Sequence, residues 1–94
     1  MLEKTLYLVQ SNYANTSHVL NKLVQIYDYE DVVVLMGESI LFINDTKVKN
    51  FHQVYVLEND IELLAHSVSD YIQMLNYAQF ADLVLTFKRS ISLK

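Results

Sequence analysis

The stretch from residue 30 to residue 42 reads EDVVVLMGESILF, and its first half limits the fold more than any other part of the chain. Residues 32–36 carry no polar side chain, and the only glycine of the sequence, Gly37, follows at once. Successive side chains of a strand point to opposite faces. A strand that is apolar at every position is therefore covered on both faces, as happens in a parallel sheet between two layers of helix. The rest of the sequence is read against that constraint.

Residues 5–10 (TLYLVQ) are short, apolar and β-favouring, and read as a first strand. SNYANTS supplies turn and cap residues without glycine or proline. From Thr16 the spacing changes: Val19, Leu20, Leu23, Val24 and Tyr27 make one helical face, with Asn15 or Thr16 as the expected N-cap and a stop near residues 28–31. Residues 39–43 fit either a strand or a short helix returning over the sheet, and residues 44–50 are a polar connection. QVYVL (53–57) reads as a third strand. ENDIELLAHS then opens with acids, as a helix N-terminus prefers, with Ile61 and Leu64 on one side and Ala65 beside them. YIQML (71–75) reads as a fourth strand. Asn76 and Gln79 form a predicted capping box. Phe80, Leu83, Val84 and Phe87 follow at i, i+3, i+4 and i+7, with Lys88 and Arg89 expected in the last turn. The end, SISLK, is a short strand or a docking tail.

Strands alternating with helices in units of about 20 residues predict an α/β fold with right-handed crossovers. The expected architecture is a three-layer α/β/α sandwich around a mainly parallel sheet of four to five strands, in one domain spanning residues 1–94.

Composition narrows the function. The chain carries a formal charge of −4, which argues against direct electrostatic binding to nucleic acid. It has no cysteine, which excludes disulfides, thiolate nucleophiles and cysteine zinc sites. No segment approaches the ~18 continuous apolar residues of a membrane span. The N-terminal apolar run is too short for a signal peptide and lacks a small-residue cleavage site. The expectation is a cytoplasmic protein with no membrane partner. At 52% apolar residues the chain is rich for its size, which points to a second buried face at an oligomer interface.

Ligands of open α/β sheets bind beyond the C-terminal strand ends. Here those ends are Gln10-Ser11-Asn12, Gly37-Glu38-Ser39, Glu58-Asn59-Asp60 and Asn76-Tyr77. One glycine cannot build a phosphate loop, and the first of these ends has no acidic pair. His18, His52 and His66 show no metal spacing and read as surface or capping residues. Ser11, Ser17 and Ser39 lack a nucleophile-elbow context. Glu38 and Glu58 are a candidate acid–base pair, with solvated strand-end acids the commoner arrangement. No catalytic, cofactor-binding or metal-binding residue is assigned. Tyr7, Tyr55 and Phe80 read as core, and Tyr71 as the start of a strand. Tyr13, Tyr27, Tyr29, Tyr77, Phe42, Phe51 and Phe87 are harder to bury together, and aromatics are enriched in protein interfaces.

Four stretches, MLEKTLYLV, EDVVVLMGESI, VYVLENDIELLA and MLNYAQFADLVLTF, occur in an order and spacing that resemble the DsrH/TusB family of small sulfur-relay subunits. The resemblance implies a DsrE/F/H-like sandwich that assembles with TusC-like and TusD-like subunits into a heterohexamer, with a homo-oligomer open to an isolated subunit. It implies work in a persulfide relay that ends in 2-thiolation of tRNA wobble uridine. The alternatives are a DsrEFH-like role in dissimilatory sulfur metabolism, or a self-associating module with no sulfur role. A persulfide carrier needs a thiolate. Lacking one, the chain resembles the TusB-type subunits and is expected to be an accessory subunit, not an enzyme. Gly37 and Glu38 are then expected to form the turn out of the buried strand, and Gly37, Glu38, Tyr77 and Phe87 are the candidate turn or interface residues.

Overall fold

Five parallel strands form one sheet in the order β4-β3-β2-β1-β5. The computed structural model describes residues 4–64 and 72–94. The strands are β1 (Thr5–Val9), β2 (Val32–Leu35), β3 (Gln53–Leu57), β4 (Ile72–Leu75) and β5 (Arg89–Leu93). Among the described residues two α-helices accompany them, α1 (Tyr13–Ile26) and α2 (Tyr77–Thr86). The apolar run that constrains the sequence is the central strand: β2 pairs with β1 on one side and β3 on the other, and all of its residues are buried.

The strand order decides where the helices go. From β1 to β4 each strand is added on the same side of the last, and β5 returns to the far side of β1. Right-handed crossovers then put the first three connections on one face and the last on the other. The core shows this division. Val19, Leu20 and Leu23 of α1 pack with Tyr7, Val33 and Val54 on one face. Phe80, Leu83 and Val84 of α2 pack against Leu6, Val32 and Val34 on the other. The three-layer arrangement therefore holds, with α2 the single helix on that second face among the described residues.

Several local expectations change. Helix α1 begins at Tyr13, with Asn12 as N-cap accepting the Asn15 N–H at 3.0 Å, rather than Asn15 or Thr16. Its first turn faces solvent, so the apolar periodicity shows only the later, buried part. His18 lies inside this helix and is exposed, as a surface residue. Of the two readings of residues 39–43, the short helix holds: residues 39–42 belong to a 3-10 helix, Gly37–Phe42, and Ile43 is its C-cap. The expected α-helix from residue 58 is instead a 3-10 helix, Glu58–Leu63. Ile61 and Leu64 pack on the core three residues apart, a spacing that three residues per turn also satisfies. Ala65, His66 and Tyr71 lie outside the described residues.

The capping box of α2 forms as expected: Gln79 N–H donates to Asn76 Oδ1 at 2.8 Å and Asn76 N–H to Gln79 Oε1 at 2.9 Å. The helix closes at Thr86, however, so Lys88 and Arg89 do not sit in its last turn. Phe87 turns in to the core, and Arg89 opens β5 opposite Thr5, donating from Nε to Thr5 Oγ1 at 2.8 Å. SISLK is thus mostly an edge strand, with Ile91 and Leu93 against the core. Tyr7 is core, whereas Tyr55 and Phe80 are only partly buried, and Phe51 is buried outright.

One acid is built into the entrance of β2. Asp31 is 3% exposed; its Oδ1 accepts the Thr5 N–H and its Oδ2 the Asp28 N–H, each at 2.8 Å. It ties the starts of β1 and β2 to the turn after α1. Hydrogen bonds to a charged acceptor are worth about 1.5–3 kcal/mol. Asp31→Ala is expected to lose about 2–3 kcal/mol of unfolding free energy, and Asp31→Asn less, measured by urea denaturation.

Two phenols are held protonated by burial. Tyr7 is pushed above its ordinary 10.0 by desolvation and then by Asp31. Tyr27, whose hydroxyl oxygen accepts the His52 N–H and whose ring packs 4.9 Å from Phe51, is raised by desolvation. The unfolded chain therefore releases these protons at lower pH than the folded chain does. The stabilisation is complete below the unfolded value of 10.0 and is lost as pH rises through the folded values. Tyr27→Phe should lose less stability than the parent between about pH 9 and pH 11, read from melting temperatures across that range.

Candidate functional site

The C-terminal ends of β1 and β2 enclose an open cleft of about 410 Å³, lined by Gln10, Ser11, Asn12, Met36, Gly37 and Glu38. This is where an open parallel sheet places its ligand sites. It joins two of the strand ends singled out in the sequence.

Gly37 is the hinge of the cleft. Its φ is +59°, the only positive φ among the described residues. A side chain there is strained by the backbone alone, since a Cβ would meet nothing within 4 Å. Close packing is therefore not the reason for this glycine; chain direction is. The turn is held from outside, where the Gly37 N–H donates to Asp60 Oδ2 at 2.9 Å. It is held from inside by Ser39, whose hydroxyl lies 2.7 Å from the Met36 carbonyl and 2.9 Å from that of Val9.

Glu38 points across to α1. Its Oε1 accepts the Tyr13 N–H at 2.7 Å, supplying a carboxylate to the helix N-terminus. A charged group is favoured there by the unpaired N–H groups and the helix dipole. Next to it, Ser11 Oγ lies 2.8 Å from Thr16 Oγ1, and the Thr16 hydroxyl donates to the Asn12 carbonyl at 2.7 Å. Gln10 Nε2 reaches Met36 Sδ at 3.6 Å. Beside the cleft, Tyr13 at the start of α1 packs on Phe42, their ring centroids 5.1 Å apart. The polar atoms of this cleft hold strand exits and a helix start in place. Glu38 serves as a cap here, with its carboxylate engaged by the backbone of another element.

The other candidates separate. Tyr77 is at the same sheet edge, two strands away at the start of α2, and is 63% exposed. Phe87 is at the opposite edge, where α2 ends; the Lys4 ammonium lies 5.6 Å above its ring. Glu58 is exposed at the head of its 3-10 helix, whereas Asp60, two residues on, makes the contact with Gly37. His52 is far from the cleft in role: its ring stacks on Tyr29 at 4.2 Å, and its Nε2 lies 3.2 Å from the Tyr29 hydroxyl. Among the described residues no three His, Asp or Glu side chains converge as metal ligands would. Sequence reasoning placed Asn12 and Asp60 at strand ends without their roles, and missed Asp31. Asn12 was readable as a cap three residues before Asn15; the partners of Asp31 and Asp60 lie 23 or more residues away, except for Asp28.

Residues 11–90 match the family model described as DsrH like protein. The chain belongs to the DsrH-like family. It is thereby a sulfur-relay-related subunit in the broad sense. A search of curated proteins finds no match. Among solved structures, the solution NMR structure of protein Tm0979 from Thermotoga maritima is similar, with a TM-score of 0.62 and 20% sequence identity. That match covers 87% of this DsrH-like chain and 92% of the other, and at this identity it bears on the fold alone.

The strand exit gives a graded prediction. Gly37→Ala should destabilise the chain by about 1–2 kcal/mol, the cost of a Cβ at positive φ, and Gly37→Val by more because of its branched Cβ. Glu38→Gln keeps an acceptor for Tyr13 N–H and should lose no more than about 1 kcal/mol, the charge–dipole part. Urea denaturation midpoints of the three variants would rank them.

Proposed function

We propose that this DsrH-like chain is a non-catalytic subunit of a TusBCD-like sulfur-relay complex in the cytoplasm. It shapes the partner that carries persulfide sulfur toward 2-thiolation of tRNA wobble uridine. The observation that carries this reading is the absence of any cysteine from a chain of this family. In persulfide transfer an acceptor thiolate attacks the outer sulfur of the donor. The S–S bond breaks, the donor leaves as a thiolate, and no net oxidation occurs. A chain without a thiol can be neither donor nor acceptor in that exchange. Its part is to position the subunit that is.

The cleft supports the same division of labour. Its one carboxylate and its hydroxyls are hydrogen-bonded to neighbouring elements. No lysine, arginine or histidine lines it to attract a persulfide anion. The apolar excess of the sequence, with Leu41, Leu63, Met74, Tyr77 and Leu85 exposed, suits a subunit that buries surface against others. The expected partners are a TusC-like and a TusD-like subunit, the latter bearing the working cysteine.

Co-expression with the two small sister proteins of the same genome, followed by native mass spectrometry, tests the assignment. A complex with equal copies of three chains is the expected result. A chain that ignores both sisters would contradict it.

A further inference from the structure

Lys88 and Arg89, expected at a helix end, stand instead at the head of an open strand. β5 pairs with β1 and, among the described residues, with nothing on its other side. Backbone groups alternate in direction along a strand, and the Leu93 carbonyl accepts the Gln10 N–H from the β1 side at 2.8 Å. Arg89, Ile91 and Leu93 therefore turn their N–H and C=O groups to β1, and Ser90 and Ser92 turn theirs to the open edge. Side chains alternate as well. Ile91 and Leu93 lie against the core on the α1 face and are only partly buried, whereas Ser90 and Ser92 are exposed.

Positive charge is concentrated on this edge. Residues 83–94 hold Lys88, Arg89 and Lys94 and no acid, in a chain whose net charge is −4. All three are exposed. Lys4, just before β1, adds another exposed cation, its ammonium 5.6 Å above the Phe87 ring. None of them has a carboxylate partner: the one ion pair among the described residues joins Lys47 to Asp45. Asp28 and Asp31, at the same end of the sheet, are engaged by backbone N–H groups.

We propose that the β5 edge is a docking site for an extended acidic segment of a partner protein, which adds to the sheet as a further strand. The segment's backbone pairs with Ser90 and Ser92, and its alternate apolar side chains extend the cover over Ile91 and Leu93. Its carboxylates meet Lys88 and Arg89 at one end of the strand and Lys94 at the other. Strand addition takes affinity from main-chain hydrogen bonds and specificity from side chains. At about 3.3 Å per residue, the span from Lys88 to Lys94 fits a segment of about seven residues. The same charges disfavour other occupants. Two β5 strands paired antiparallel about Ile91 set each Lys88 opposite the second copy's Lys94, and like charges directly opposite destabilise a sheet. Lysine guards an edge against such pairing and leaves it open to a strand of opposite sign. Nucleic acid offers phosphates to the cations but no strand to complete the ladder. So short a contact belongs to the weak, exchangeable class of interface.

The test uses the full chain and a fluorescein-labelled peptide of alternating valine and threonine with a pair of acids at each end, its binding read by fluorescence anisotropy. The peptide should bind in the micromolar range, and its lysine-flanked counterpart about tenfold more weakly or worse. Lys88→Glu combined with Lys94→Glu should weaken binding of the acidic peptide by about tenfold and leave the melting temperature unchanged, since both side chains are exposed and unpaired. Ser92→Pro removes an N–H that the sheet does not use, where an edge strand tolerates proline, and should weaken binding by about fivefold. In the unmodified chain, saturating peptide should slow solvent exchange of the Ser90 and Ser92 amides by about fivefold or more, a readout that depends on no variant. Failure of the acidic peptide to bind would overturn the proposal. So would binding that leaves those two amides exchanging as before, or an oligouridylate that binds as tightly as the peptide, since either makes the edge a bare cluster of positive charge.

Discussion

Burial of β2 on both faces, between two parallel neighbours, is the constraint from which the rest of this structure follows. A strand with no polar side chain has no solvent-facing side, so it takes the centre of the sheet and requires a layer on each face. Its two ends then become the difficult places, because the chain must enter and leave a fully covered strand. Asp31 solves the entrance by accepting backbone N–H groups from two neighbouring segments. Gly37 solves the exit with a positive φ that an L side chain would resist.

The same exit organises the cleft. The reversal at Gly37 carries Glu38 to the start of α1 and leaves the Gly37 N–H for Asp60. Three connections on one face of the sheet are thereby joined by two carboxylates, without a metal or a catalytic arrangement being needed to account for either. A strand-end acid in an α/β protein invites a chemical reading. Here its geometry has a complete structural account, in which the carboxylate supplies the charge that a helix start favours.

Much of this was legible in the sequence. The central strand, the α/β class, the glycine turn out of β2 and the Asn76–Gln79 capping box each come from a local signal: an apolar run, an alternation of elements, a single glycine, a three-residue spacing. The first turn of α1 was not visible because its residues face water and add nothing to the apolar period. The 3-10 helix at Glu58–Leu63 was not separable from an α-helix, since one apolar pair three residues apart satisfies both. Arg89 read as a helix-end cation because its partner, Thr5, is 84 residues away in the chain. The roles of Asp31 and Asp60 were hidden for the same reason: hydrogen bonds between distant segments leave no periodicity.

The functional account joins a family with a chemical deficit. A DsrH-like chain without a thiol has a strand-end cleft whose polar groups already hold its fold together. Its contribution to a relay would then be positional. The most direct test is the single-turnover rate of persulfide transfer by the assembled complex, compared between the parent chain and Glu38→Gln at equal assembly. An unchanged rate is the result this account predicts. A complex that assembles normally yet transfers no sulfur would contradict it and assign Glu38 to the chemistry.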